Sequence, residues 1–404
     1  MISKDFLKAG HTPTLLSAFF YFDMSFMVWV MLGALGVQIA ASLGLDPAQK
    51  GLMVATPVLA GALLRVVNGV LVDRIGPKFT GAVCQVIVIL GLITAWVVGI
   101  DAYSHVLMLG LVLGVAGASF AVALPLASRW YPPKYQGVTL GIAGAGNSGT
   151  VLAALFAPSL AKAFGWENVI GMAAIPLIVA FVVYMIFAKD SPEQPKAKTL
   201  PQYMSVLKTA DAWWFMAFYG VTFGGFVGLS SSLTIYFNDA YGLSAVTAGL
   251  FTAACVFAGS FLRPVGGALA DRFGGIRTLS IMLLVAAGAL AVISLRLPTA
   301  SLALGVVVVC MGALGMGNGA VFQLVPQRFR QEIGVMTGLV GMFGGVGGFY
   351  LASTLGVSKQ MTESYQAGFL GFAVLALAAF ASLSIVKHKW RVQWLAASAA
   401  PARI

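Results

Sequence analysis

What confines this chain most is a run of apolar residues long enough to cross a bilayer, repeated from one end of the sequence to the other. A hydrocarbon core about 30 Å thick takes roughly 20 residues of α-helix to span. Backbone groups inside lipid find no water, so segments of this length satisfy their own N–H and C=O groups by forming helices. Charged residues make up 9% of the 404 and hydrophobic ones 59%. Soluble domains carry about 25% charged residues, so water is not the main solvent of this chain.

Hydropathy and turn signals predict twelve segments, at 13–41, 51–72, 79–99, 105–128, 138–163, 168–188, 212–237, 245–270, 278–296, 300–326, 333–356 and 366–386, numbered here as spans 1 to 12. The expected fold is therefore an all-α membrane protein. One connection alone is long and polar. It runs from Lys189 to Asp211 and contains SPEQPKAKTLPQ, too proline-broken and charged to bury a core. It divides the chain into a six-span half at 1–188, a linker at 189–211 and a second six-span half at 212–404 with a short tail. The leading MISKDFLKAGHTP is polar and runs into span 1 without a small-residue cleavage pattern, so no cleaved signal is expected.

A net charge of +11 could suit nucleic acid, but the basic residues sit in short loops between spans rather than on one soluble face. With the N-terminus inside, eighteen lysines and arginines fall on inner segments and only Lys50, Lys162, Arg296 and Lys359 on outer loops. That bias puts both termini and the linker in the cytoplasm. Cys84, Cys255 and Cys310 lie in apolar spans with neither metal nor disulfide spacing and read as small core residues. No cofactor is implied.

The two halves repeat each other. GVLVDRIG at 69–76 follows span 2 and GALADRFG at 267–274 follows span 8, at an offset of 198. The sequence resembles the major facilitator superfamily on this paired GxLxDRxG pattern. That resemblance implies two pseudo-symmetric six-helix bundles with a central substrate site between them. Asp73, Arg74, Asp271 and Arg272 then read either as interfacial anchors or as a gate locking the cytoplasmic helix ends when the site opens outward.

Two arginines interrupt the spans, and they obey the same offset of 198: Arg65 in GALLRVVNG of span 2 and Arg263 in GSFLRPVGG of span 8. Each precedes its aspartate by eight residues, about 12 Å of helix, which sets it near the bilayer middle. A cation there costs at least about 2.5–3.5 kcal/mol on an insertion scale. A buried carboxylate could neutralise it, yet of thirteen acidic residues only Asp23 lies well inside a span. One carboxylate cannot balance two arginines, so the cavity keeps a positive charge that an anionic substrate can answer. A guanidinium fork fits a planar oxyanion through paired hydrogen bonds. Nitrate, nitrite and small carboxylates such as formate or oxalate all meet that description.

Span 5 carries GIAGAGNSGT at 141–150, and span 11 carries GLVGMFGGVGGF at 338–349. Small residues at such spacing let membrane helices approach closely, and a packing seam between the halves is expected at Gly144, Gly146, Gly149, Gly341, Gly344, Gly345, Gly347 and Gly348. These paired stretches, with GMGNGAVFQ at 315–323 in span 10, are similar to the signatures of the nitrate/nitrite porter family. The resemblance implies a nitrate carrier that also accepts nitrite, with Arg65 and Arg263 as substrate-binding arginines and Asn147 as an amide donor to substrate. It implies Tyr219 and Phe223 of span 7 as site-lining rings, and Phe120 of span 4 as the aromatic facing Phe223 across the anion. Asn318 remains a weaker candidate, readable as a packing amide.

A negative-inside potential opposes anion entry by about 2.3 kcal/mol per 100 mV. Proton symport or exchange against outgoing nitrite would each overcome this. His11 and His388 lie outside the spans and His105 at the very first residue of span 4, which leaves Asp23 as the group well inside a span able to carry a proton. It reads equally as a structural partner of an arginine or a neighbouring helix. The expectation leans to proton-coupled nitrate uptake at the inner membrane by a monomer, with nitrate/nitrite exchange or an oxalate/formate-type antiporter as alternatives. No nucleophile–base or metal-ligand constellation points to an enzyme. The paired arginines argue against an exporter of cationic drugs.

Overall fold

The computed structural model describes residues 4–132, 135–192, 201, 205–329 and 333–397. Most of the expected linker, at 193–200 and 202–204, lies outside the described residues. Everything regular among the described residues is helical. Among the described residues, eleven helical stretches are long and apolar enough to cross a membrane. They correspond to spans 2 to 12, beginning at Pro47–Ile75 and ending at Gln366–Ala397.

Span 1, expected as one helix over 13–41, differs. It breaks at Val30 and Leu35 into Thr12–Trp29, Met31–Ala34 and Gly36–Leu43. The cause is tertiary. Gly33 lies directly against the Ser231 carbonyl of span 7, and Gly36 takes the Ile235 side chain. The chain bends where it presses on the other half, and hydrogen bonds from Val30 N–H to Phe26 O and from Leu35 N–H to Met31 O carry the helix across.

The GxLxDRxG segments, expected to follow spans 2 and 8, are instead the last turns of those helices. Span 2 runs through Asp73 and Arg74 to Ile75, and span 3 starts at Pro77. Span 8 runs through Asp271 and Arg272 to Phe273, and span 9 starts at Gly275. A single residue makes each corner, Gly76 at φ +86° and Gly274 at φ +97°. Those left-handed values strain any residue with a Cβ, which is why glycine closes both repeats.

At its outer end, as the basic-residue bias orients the chain, span 2 is capped on both sides of its first turn. Asp46 Oδ1 accepts from Gln49 N–H at 2.8 Å, and Gln49 Oε1 accepts from Asp46 N–H at 3.0 Å. From there the helix packs along span 11, while the outer part of span 5 packs along span 8. Gly51 meets Gly356 at the top of the first seam, and Gly249 meets Ala154 and Pro158 in the second. At this end the halves meet in close contacts that involve backbone atoms.

Candidate functional site

Arg65 and Arg263 come from different halves and converge on the same aromatic wall. The Arg65 guanidinium carbon lies 5.3 Å from the Phe120 ring centre, and that of Arg263 lies 6.0 Å from it. Trp29 at 5.4 Å and Phe223 at 5.0 Å complete the surroundings of Arg65, and Phe322 at 5.5 Å flanks Arg263. Aromatic faces carry partial negative charge and favour a cation, without supplying the full charge of a carboxylate.

The two arginines are not equivalent. Arg65 is 1% exposed. Its Nε donates to Gly117 O at 3.2 Å within its own half, and its Nη1 donates to Gly341 O of span 11 at 2.6 Å, across the interface. Its Nη2 is buried without a hydrogen-bond partner, and so is Nη1 of Arg263. Arg263 as a residue is only partly buried. Three salt bridges occur among the described residues, Lys50–Asp239, Arg129–Asp73 and Arg328–Asp211, and none involves either arginine.

Of the residues expected to line a site, Phe120, Phe223 and Tyr219 lie beside the arginines. Tyr219 and Phe223 stack at 5.0 Å with planes 5° apart. The Tyr219 hydroxyl has Arg263 as an electrostatic neighbour but makes no hydrogen bond of good geometry. Phe120 and Phe223, expected to face each other across the anion, approach the same guanidinium, that of Arg65. The rings beside Phe120 are Phe22 at 5.8 Å and Phe322 at 5.9 Å, and Phe322 also meets Tyr219 edge-on at 5.0 Å. Asn147 is 2% exposed and sits in a 3-10 turn, Ala145–Ser148, that interrupts span 5. Its main-chain carbonyl accepts from Thr150 Oγ1 at 2.7 Å and from Ser260 Oγ of the other half at 3.5 Å, while its side-chain oxygen is unpartnered. Asn318 is likewise buried with an unpartnered side-chain oxygen.

Asp23 is 7% exposed and accepts a 2.6 Å hydrogen bond from Ser148, the residue after Asn147. It therefore ties span 1 to span 5, and the reading of Asp23 as an arginine's partner is corrected.

The glycines divide by role. Gly146 faces the Phe22 ring and Gly149 the Asp23 carbonyl, so both pack span 5 on span 1 of the same half, correcting the expected seam between halves; nothing lies within 4 Å of a side chain built on Gly144. In span 11, Gly341 faces Arg65 and Phe120, Gly345 faces Ala62, and Gly348 faces both Val58 and Val227. Those three join the halves at the site. Gly344 and Gly347 instead seat span 11 on Tyr219, Phe223 and Gly220 of span 7.

At the glycine corners, Asp73 accepts a 2.6 Å hydrogen bond from Arg129 at the end of span 4, inside its own half. Arg74, Asp271 and Arg272 are exposed, with Arg272 5.1 Å from the Phe273 ring centre.

The sequence offered no handle on Trp29, Gly117 O or Gly341 O, because any residue supplies a carbonyl and a tryptophan in an apolar span reads as core. Phe322 stood inside the quoted span 10 stretch, yet nothing in the residues marked it as facing the arginines.

The Major Facilitator Superfamily model matches residues 14–352. A nitrite extrusion protein of Bacillus subtilis is 32% identical over 357 residues, covering 88% of this chain and 89% of its own length. A probable nitrate/nitrite antiporter of Thermus thermophilus is 31% identical over 392 residues, covering 89% and 88%. A probable nitrate transporter of Staphylococcus epidermidis is 30% identical over 368 residues, covering 90% and 93%. Among solved structures, a bacterial homolog of the human lysosomal transporter Spinster superposes with a TM-score of 0.73 at 18% identity, over 97% of this chain and 99% of that one.

Proposed function

Because the chain belongs to the major facilitator superfamily and, within it, to the nitrate/nitrite porters, we propose that it carries nitrate and nitrite across the membrane by alternating access at Arg65 and Arg263. One observation carries this reading. Two guanidinium groups, one from each half, meet at a shared ring without a carboxylate, and each keeps a buried N–H unspent. An unpaired buried donor costs about 1–3 kcal/mol, and a planar oxyanion between the two forks would satisfy both. The surrounding rings exclude water, which strengthens these bonds. They also suit a flat, singly charged ion better than a tetrahedral, doubly charged one with its greater dehydration cost.

The reading of coupling is proton-driven uptake through Asp23, whose bond to Ser148 links it to the turn that presents Asn147. Exchange of nitrate for nitrite is a second reading, favoured by the two guanidinium charges that no salt bridge among the described residues compensates. Two cations facing each other resist closure of the halves unless an anion lies between them.

One experiment tests both. With purified protein in liposomes, labelled nitrate is taken up, nitrite displaces it, and formate and oxalate do not. An imposed inward proton gradient drives accumulation without internal nitrite, and Asp23→Asn abolishes that accumulation while sparing exchange. Flux that requires nitrite inside and ignores the proton gradient would establish exchange instead. Displacement by formate or oxalate would move the substrate to small carboxylates.

A further inference from the structure

Above the site, an ion pair crosses the interface at the outer mouth. Lys50 Nζ, in the first turn of span 2, donates to both carboxylate oxygens of Asp239 near the end of span 7, at 3.2 and 3.1 Å. Both side chains are partly exposed, at 20% and 15%. Just inside it lie the Gly51–Gly356 contact and the packing of span 1 on Ser231 and Ile235. A conformation that opens the site outward must separate those contacts and therefore break this pair.

The two partners fare differently on breaking. The Tyr365 hydroxyl donates to Asp239 Oδ2 at 2.8 Å, and Tyr365 belongs to the same half as Asp239. Burial and the neighbouring Asp239 charge push the phenol of Tyr365 upward, which keeps it a donor. Asp239 thus retains a partner after the halves part. Lys50 does not, since it hydrogen-bonds to nothing else among the described residues. Lys359 nearby donates to Glu363 O and lies 5.7 Å from the Tyr365 ring, both within the second half, so it is occupied in either state.

We propose that Lys50 has two mutually exclusive partners: Asp239 while the outer side is shut, and an incoming monovalent inorganic anion once it is open. Lys50 stands fifteen residues above Arg65 on one continuous helix, about 22 Å along its axis. A cation at the mouth raises the local anion concentration and the capture rate. The partly exposed pair is also weak enough to open on every cycle. The same side chain therefore latches the closed state and receives the substrate in the open one. The second role rests on the anion-carrier reading; the first does not.

The test separates the two roles with Lys50→Met and Asp239→Asn in the full-length protein. Outer opening is read as labelling of Ile235→Cys by an impermeant maleimide. Ile235 is 5% exposed and packs on Gly36 across the interface. Both variants should raise labelling several-fold, and the charge-reversed double variant Lys50→Asp/Asp239→Lys should lower it again, showing that the fold persists. Nitrate capture should then differ between the two. At low ionic strength Lys50→Met should raise the external KM about three- to tenfold, whereas Asp239→Asn leaves it unchanged or lower, and high salt should close the gap. Unchanged labelling in both variants would overturn the latch. An equal KM shift in both would overturn the anion contact. If labelling responds as expected but the wild type moves no nitrate, the substrate reading fails, taking the anion contact with it and leaving the latch.

Discussion

At the scale of single residues, the internal repeat places Arg65 and Arg263 at equivalent positions, and the packing then makes them unequal. Arg65 spends two of its donors on Gly117 O and Gly341 O and lies among Trp29, Phe120 and Phe223. Arg263 shows the Phe120 and Phe322 contacts and is partly open to solvent. Lysine at either position keeps the charge and loses the fork. Arg65→Lys should therefore strip both carbonyl contacts and weaken nitrate binding together. Losing a charge-assisted hydrogen bond costs about 1.5–3 kcal/mol, or roughly 10- to 100-fold in apparent affinity. Arg263→Lys should lose affinity over the same range with little effect on stability, since among the described residues no carbonyl accepts from it. Transport KM and thermal unfolding in detergent, measured side by side, check this. Equal loss of stability in the two variants would mean that Arg263 is as structural as Arg65.

At the scale of helices, the glycine-rich stretches of spans 5 and 11 look alike in sequence and pack differently. Gly149 abuts the Asp23 carbonyl and Gly347 the Gly220 carbonyl, whereas Gly144 faces open space. Adding a methyl group against a fixed carbonyl forces the helices apart, at about 1–3 kcal/mol for an overpacked site. Gly149→Ala and Gly347→Ala should lower the yield of folded protein and its melting temperature, while Gly144→Ala should melt like wild type; the three melting curves decide it. The spacing of these glycines announced close packing because it is local to one helix. It could not say which neighbour each would meet, since that is fixed only when distant spans come together. The same limit hid the break in span 1, which answers to Ser231 and Ile235 some 200 residues away. Legible features were those a single helix or the repeat decides on its own: eleven of the twelve spans among the described residues, and the equivalent helical positions of Arg65 and Arg263.

At the scale of the molecule, two repeats that match in sequence are joined at the outer side by contacts that have no room to spare. Span 2 meets span 11 through glycine at both ends of the contact, Gly51 against Gly356, and a Cβ on Gly356 would stand 2.7 Å from the Gly51 Cα. Backbone on both sides leaves nothing that can swing away, so a side chain there acts as a wedge between halves rather than as a defect inside one. Gly356→Val should accordingly hold the outer side open. The bundles themselves lose little, because the atoms nearest a side chain on Gly356 belong to Pro47 and Gly51 of the other half. Exchange across the membrane should fall to background, since a carrier that cannot close outside cannot complete the cycle. Nitrate should still bind from outside and still raise the melting temperature of the purified variant, because Arg65 and Arg263 lie well below the wedge. Maleimide labelling of Ile235→Cys should also be high in this background whatever occupies position 50. A Gly356→Val protein that transports at the wild-type rate would show that this contact need not close, and that the seat of outer closure lies elsewhere along the interface.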